Sequence, residues 1–178
     1  VETLEQFEQW DKILELSKTH YLEATENEKL QAERLLVIGR THFEKQDPNS
    51  LNNILGQINE RVSKYEEIKK KKTEEAKKKA ESEKKKKEEV DKIVKDAARS
   101  SEDKLKYLRP IRDELSVCHE LLQGEKLDDE RAKKIKRKKP ALAMLHLKYG
   151  EKSKAKEIAL QAVNDGKNQV LPLAIYIH

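Results

Sequence analysis

The sequence predicts an all-α protein of elongated form: a three-helix bundle, a long charged helix or coiled coil, and a C-terminal helical module ending in a hairpin. Three observations carry that reading. Large apolar residues recur three and four positions apart through most of the 178 residues, as they do along one stripe of a helix. No sustained run alternates Val, Ile, Thr or aromatics with polar residues at the period of two that a half-buried strand needs. A composition of 41% charged, 35% hydrophobic and 4% aromatic residues is poor provision for one compact core, and an extended helical form suits it better.

In chain order, Leu4, Phe7, Trp10, Ile13, Leu14, Leu16, Tyr21 and Leu22 predict one amphipathic helix from Leu4 to Ala24 with an aromatic core. Thr25 and Glu28 have capping-box spacing, the hydroxyl accepting from the backbone and the carboxylate reaching back, so a second helix is expected to start near Glu26. Its buried face is Leu30, Leu35, Leu36, Ile38 and Phe43. Asp47-Pro48 then supplies an N-cap and a first-turn proline for a third helix. Leu51, Ile54, Leu55, Ile58, Val62, Tyr65 and Ile68 follow on it at helical spacing. Residues 1–68 are thus expected to form a small bundle.

Residues 69–99 are read as a charged helical connector, overlapping the charged tract Tyr65 to Lys95. Glu66, Glu67, Glu74, Glu75, Glu81, Glu83 and Glu88 each have a lysine four residues on, with Glu in the favourable N-terminal position. Each pair contributes only about 0.2–0.5 kcal/mol, but Ala, Glu and Lys are good helix formers. No Gly or Pro interrupts the run, so a continuous solvated rod is expected to keep two helical ends apart.

Residues 100–178 are the second module. Ser100-Ser101-Glu102-Asp103 reads as a helix restart, and Pro110 as a kink or a second start. Leu105, Leu108, Ile111, Leu115, Val117 or Cys118, Leu121 and Leu122 form the next stripe, which Gly124 stops. A basic segment, Asp128 to Lys139, leads to Ala141, Leu142, Leu145, Leu147 and Tyr149. Gly150 marks a turn, and Ala155, Ile158, Ala159, Ala162 and Val163 follow. The last run, VLPLAIYIH, is apolar and is expected to pack on this pair or on whatever follows it.

Two stretches resemble known families. Residues 26 to 68 are similar to the C-terminal helical lid of DnaK-type heat-shock chaperones: a helix ending His42-Phe43-Glu44-Lys45, then Gln46-Asp47, then a helix with Leu51, Ile54, Leu55, Gln57 and Ile58. The resemblance covers about a quarter of the chain, and the lysine-rich tract departs from it. It implies no catalytic residues, and a role in closing over a peptide held by a neighbouring β-domain. Residues 138 to 171 resemble one tetratricopeptide unit through Leu142, Ala143, Gly150, Ala155 and Ala162, small residues that let two antiparallel helices approach closely. Ala159, where that pattern has an aromatic, is a departure, as is the lack of a proline just after Asn164.

Enzyme chemistry finds little foothold. His20, His42, His119, His146 and His178 form no HxxxH or HExxH pair, and adjacent Cys118 and His119 point about 100° apart on a helix. There is no GxxxxGK[ST], GxGxxG or GxSxG, so no cofactor and no metal are expected. The single cysteine rules out an internal disulfide. No run of 18 or more apolar residues would span a membrane. A formal charge of +5 is a small difference between 39 basic and 34 acidic residues and by itself indicates no polyanion. The chain starts on a helical pattern without Met, so it is expected to be a piece of a larger protein.

The expected function is accordingly non-enzymatic: a cytoplasmic protein-interaction module, lid-like or docking, of a chaperone-type protein that binds a protein or peptide. Its folding and docking residues are expected to be Trp10, Phe43, Leu51 and Ile54 at one end, and Leu142, Gly150, Ala155 and Ala162 at the other. One alternative is a structural coiled-coil spacer, homodimeric through the long helix. The other is a basic nucleic-acid adaptor, its polyanion contacts made by Lys133, Lys134, Lys136, Arg137 and Lys138.

Overall fold

A computed structural model describes residues 2–165, and among them every regular element is an α-helix. The elements are α1 (Glu2–Gln6), α2 (Trp10–Leu16), α3 (Glu28–Glu44), α4 (Pro48–Ser82), α5 (Lys87–Leu122), α6 (Asp129–Lys134), α7 (Lys139–Tyr149) and α8 (Lys152–Asn164). They form two compact units, Val1–Arg112 and Asp113–His178. The division therefore falls inside α5, and not at the borders expected from composition near residues 68 and 99. No described helix is long and apolar enough to cross a membrane.

In the first unit, the single helix expected from Leu4 to Ala24 is two short ones followed by non-helical chain. Glu8 sits at φ 54, and Gln9 N–H donates back to Leu4 O (2.8 Å), a helix-ending motif with a left-handed residue where glycine is usual. The consequence is an outward turn of the aromatics. Phe7 is 66% and Tyr21 73% exposed, and Trp10 is half-buried, so Ile13 and Phe43 form the core in place of an aromatic cluster. Arg34 ties down the irregular stretch, its Nε donating to Leu22 O at 2.7 Å.

Helix α3 starts two residues later than expected, because Asn27 is its cap: Oδ1 accepts from the N–H groups of Lys29 and Leu30 at 3.1 and 3.2 Å. Thr25 instead accepts from Asn27 N–H, stabilising the approach to the helix. Leu35, Ile38 and Phe43 are buried, whereas Leu30 is 54% exposed and lies off the packed face. Asp47 caps α4 through Ser50 N–H at 3.0 Å, with Pro48 in the first turn, as the sequence indicates. Leu51, Ile54, Leu55, Ile58 and Val62 are buried along it.

The charged tract is not one rod. Helix α4 ends at Ser82; Lys84 adopts φ 54, and Lys85 N–H donates to Ala80 O at 3.2 Å before α5 begins at Lys87. Glu66 pairs with Arg109 (3.1 Å) and Lys69 with Glu102, so the partner number rises as the α4 number falls and the two helices run antiparallel. Folding back is driven by area: Ala80, Ala98, Ser101, Leu105 and Leu108 are all buried, which a single solvated helix could not achieve. Ser100 and Ser101 lie inside α5, and so does Pro110, so neither restarts a helix.

In the second unit, Leu115, Val117, Cys118 and Leu121 are buried on the end of α5, and Gly124, at φ 96, stops the helix. Helices α7 and α8 form the expected hairpin: Lys139 at the start of α7 meets Asp165 just past the end of α8 at 2.7 Å. Ala143, Ala155 and Ala159 form its core with Ile158 against them. The run VLPLAIYIH lies outside the described residues.

Candidate interaction site

The richest concentration of polar contacts lies where the end of α5, the basic segment and the α7–α8 hairpin meet within the second unit. The segment is held from inside by Glu114, whose side chain is 1% exposed. Lys136 N–H donates to its Oε2 at 2.9 Å, and Arg137 Nε donates to Oε1 at 3.4 Å. Arg137 also reaches Cys118 Sγ at 3.9 Å. A buried carboxylate needs such donors, because desolvating an unpaired charge costs several kcal/mol.

Arg131 is saturated in the same way. It bonds Glu120 (2.8 Å), Asp128 (2.7 Å) and Glu125 (3.1 Å), and the Glu120 carboxylate in particular raises its already high pKa. Asp128 caps α6 by accepting from Arg131 N–H at 2.8 Å, which holds its own carboxyl below the ordinary range. Lys133 pairs with Glu130 at 2.6 Å, and Lys154 with Asp129. Of the five cations expected to face a polyanion, Arg137 is thus an internal strut with a 9% exposed side chain, and Lys133 already has a carboxylate beside it. Lys133, Lys134, Lys136 and Lys138 are all exposed.

His146 lies just behind this segment. It is 2% exposed, its Nδ1 has no hydrogen-bond partner, and burial pushes its pKa below 6.5, with the Lys154 ammonium adding to the shift and Asp129 and Glu151 opposing it. Gly150 makes room for the ring: a Cβ there would lie 2.8 Å from His146 Nδ1 and 2.9 Å from Leu127 O. The residue must be glycine for steric reasons, since its φ of −128 is open to any side chain. Leu127 N–H donates to Tyr149 O at 2.8 Å, closing the corner.

The other residues singled out from sequence divide by burial. Phe43, Leu51, Ala155 and Ala162 are fully buried and Ile54 is 9% exposed, so they build the core and cannot touch a partner. Trp10 and Leu142 are half-buried. Sequence reasoning missed Glu114, whose role depends on a segment 22 residues away. It also missed the exposure of Met144, Leu147 and Leu160, which are apolar positions at helical spacing and look like core. Among the described residues no group of three or more His, Cys, Asp or Glu side chains is arranged to hold a metal ion.

No protein-family model, no curated protein and no solved structure matches this chain.

Proposed function

We propose that the chain is a non-enzymatic protein-interaction module, a lid-like or docking segment of a larger chaperone-type protein of the cytoplasm. The observation that carries this reading is the capped reversal between α3 and α4. Helix α3 ends at Glu44, Gln46 takes a left-handed φ of 57, and Asp47 caps a helix of 35 residues with its apolar face buried near the turn. That is the order of events the lid resemblance implies for residues 26 to 68. At 1.5 Å per residue α4 is about 52 Å long, a lever able to carry a cover away from its anchor.

The small-residue hairpin of α7 and α8 supports the docking half of the reading, since paired helices of this kind present broad surfaces to partners. The arginines of both units point the same way. Arg34, Arg61, Arg131 and Arg137 are each occupied by carbonyls or carboxylates of the chain itself, as in a scaffold.

The parent protein tests the lid reading. An ATPase domain and a β-domain are expected upstream of Val1, and removing the chain from Val1 onward should speed release of a labelled peptide from that β-domain. Unchanged release, or a parent without those domains, overturns it.

A coiled-coil role has one observation in its favour, the ion pairs between α4 and α5, and it then acts as an arm within one chain. Sedimentation showing a dimer would move the reading towards a homodimeric spacer. The nucleic-acid alternative has less support, because carboxylates already neutralise Arg131, Lys133 and Arg137.

A further inference from the structure

We propose that the distal part of α4 and the turn after it, Lys70 to Lys87, form a docking face for an anionic lipid surface. The inference goes beyond the interaction-module reading and does not depend on it. It starts from where the charge of the chain lies. Residues 69–87 hold 11 lysines against four glutamates, whereas residues 88–104, on α5, hold six acidic and four basic residues. Outside 69–104 the chain has 24 basic and 24 acidic residues, so its whole excess of +5 sits on this arm, and within the arm on the α4 side and the turn.

Folding converts that composition into a face. Beyond the contact of Lys69 with Glu102, α4 runs on for about 20 Å. There Thr73, Ala76 and Ala80 are shielded, at the three- and four-residue spacing of one helical stripe, and every other residue from Lys70 to Glu89 is exposed. At about 100° per residue, Lys71 and Lys78 stand opposite that stripe, with Lys70 and Lys77 on one flank and Lys72 and Lys79 on the other. The turn adds Lys84 to Lys87. Lys71 meets Glu67 at 2.8 Å, Lys77 meets Glu81 at 3.9 Å and Lys85 meets Glu83 at 2.8 Å. Among the described residues, Lys70, Lys72, Lys78, Lys84, Lys86 and Lys87 have no carboxylate within 4.0 Å.

The chemistry of the face selects its partner. Nothing apolar larger than alanine lies between Lys69 and Glu89, so there is no wedge to enter acyl chains and no ring to stack on a base. All 11 cations are lysine, a compact charge without the planar fork by which arginine grips a fixed phosphate. A duplex holds its phosphates in place, and Glu74, Glu75 and Glu81 stand among the lysines where they would meet some of them. Lipids move laterally, so anionic headgroups gather at the lysines and neutral ones are left opposite the glutamates. The weakly acidic α5 side orients the arm with α4 towards the surface.

The test is cosedimentation of the full chain with phosphatidylcholine vesicles, with and without phosphatidylserine, beside anisotropy on a short DNA duplex and on polyglutamate at the same salt. Binding is expected only to the vesicles containing phosphatidylserine, and it should fade as salt is raised. A lysine near such a surface contributes about fivefold to partitioning, so Lys70→Gln, Lys72→Gln and Lys78→Gln together should weaken binding about a hundredfold. Lys18→Gln, Lys126→Gln and Lys156→Gln lower the net charge equally from exposed positions off the arm, and should leave binding within about threefold. Glutamine is a good helix former, so circular dichroism should not change, and Lys→Arg at the first three sites should retain binding. The vesicle preference of the unaltered chain decides the matter even if a variant loses helix. No preference for phosphatidylserine, an equal loss in the two triple variants, or tighter binding of the duplex or polyglutamate than of the vesicles overturns the proposal. Peptide release from the parent protein reads the lid function separately, so either idea can fail alone.

Discussion

Arg109 donates to Glu66 Oε1 from both Nε (3.2 Å) and Nη2 (3.1 Å), joining residues 43 positions apart. In a continuous charged helix, Glu66 would instead meet Lys70 on its own surface. The bond therefore reports that the lysine and glutamate tract doubles back. Both side chains are well exposed, so the interaction is modest. A double-mutant cycle with Glu66→Ala and Arg109→Ala should give a coupling of about 0.5 kcal/mol at low salt, fading as salt is raised. Zero coupling at low salt would mean that this pair adds nothing to the packing of α4 on α5.

The reversal itself turns on Lys84, a residue with a Cβ held at φ 54. A left-handed conformation costs an L-residue roughly 1–2 kcal/mol, and glycine adopts it freely. Lys84→Gly should therefore stabilise the chain by up to about 1 kcal/mol, part of the relief being lost to the greater freedom of an unfolded glycine. Thermal unfolding checks this. A Tm that falls with Lys84→Gly would contradict the turn.

Glu114 and Arg137 offer the reverse case, a polar pair whose disruption should be costly. Removing Arg137 leaves a buried carboxylate short of a charged donor. Arg137→Ala is expected to destabilise the chain by about 3 kcal/mol in denaturant unfolding, with Glu114→Gln milder because an amide needs no counter-charge. A change under about 0.5 kcal/mol for Arg137→Ala would show that the pair is solvated.

His146 makes stability depend on pH. Burial lowers its folded pKa below the 6.5 of the unfolded chain, so the unfolded state binds a proton more readily. Its contribution is complete above about pH 6.5 and declines as the pH falls below that value towards the folded pKa. Lys154 and Glu151 face the ring from the α8 side and Asp129 from α6, and the lowered pKa of Asp129 keeps that carboxylate ionised through the onset of the decline. Denaturation midpoints measured from pH 7.5 down to about 5 should fall in the wild type and fall less in His146→Gln. Parallel curves would remove His146 as the cause.

The sequence by itself determined the helical class, the capped turn at Asp47-Pro48, the α7–α8 hairpin around Gly150 and most of the buried leucines. These follow from local chemistry: periodicity, a missing N–H, a side-chain oxygen within reach of nearby donors. Only the tertiary structure decided where the charged tract bends, because the turn residues are Glu83 to Lys86 and carry no Gly or Pro to mark it. The same holds at Glu8 and Gln46, which end helices in a conformation that intrinsic preference disfavours. Burial gained by α4 and α5 together outweighs the strain at one lysine, and neither helix carries that information alone. The basic segment turns on the same kind of distant partner. Seven of its side chains read alike as cations, and it took Glu114, arriving from α5, to make Arg137 a buried strut.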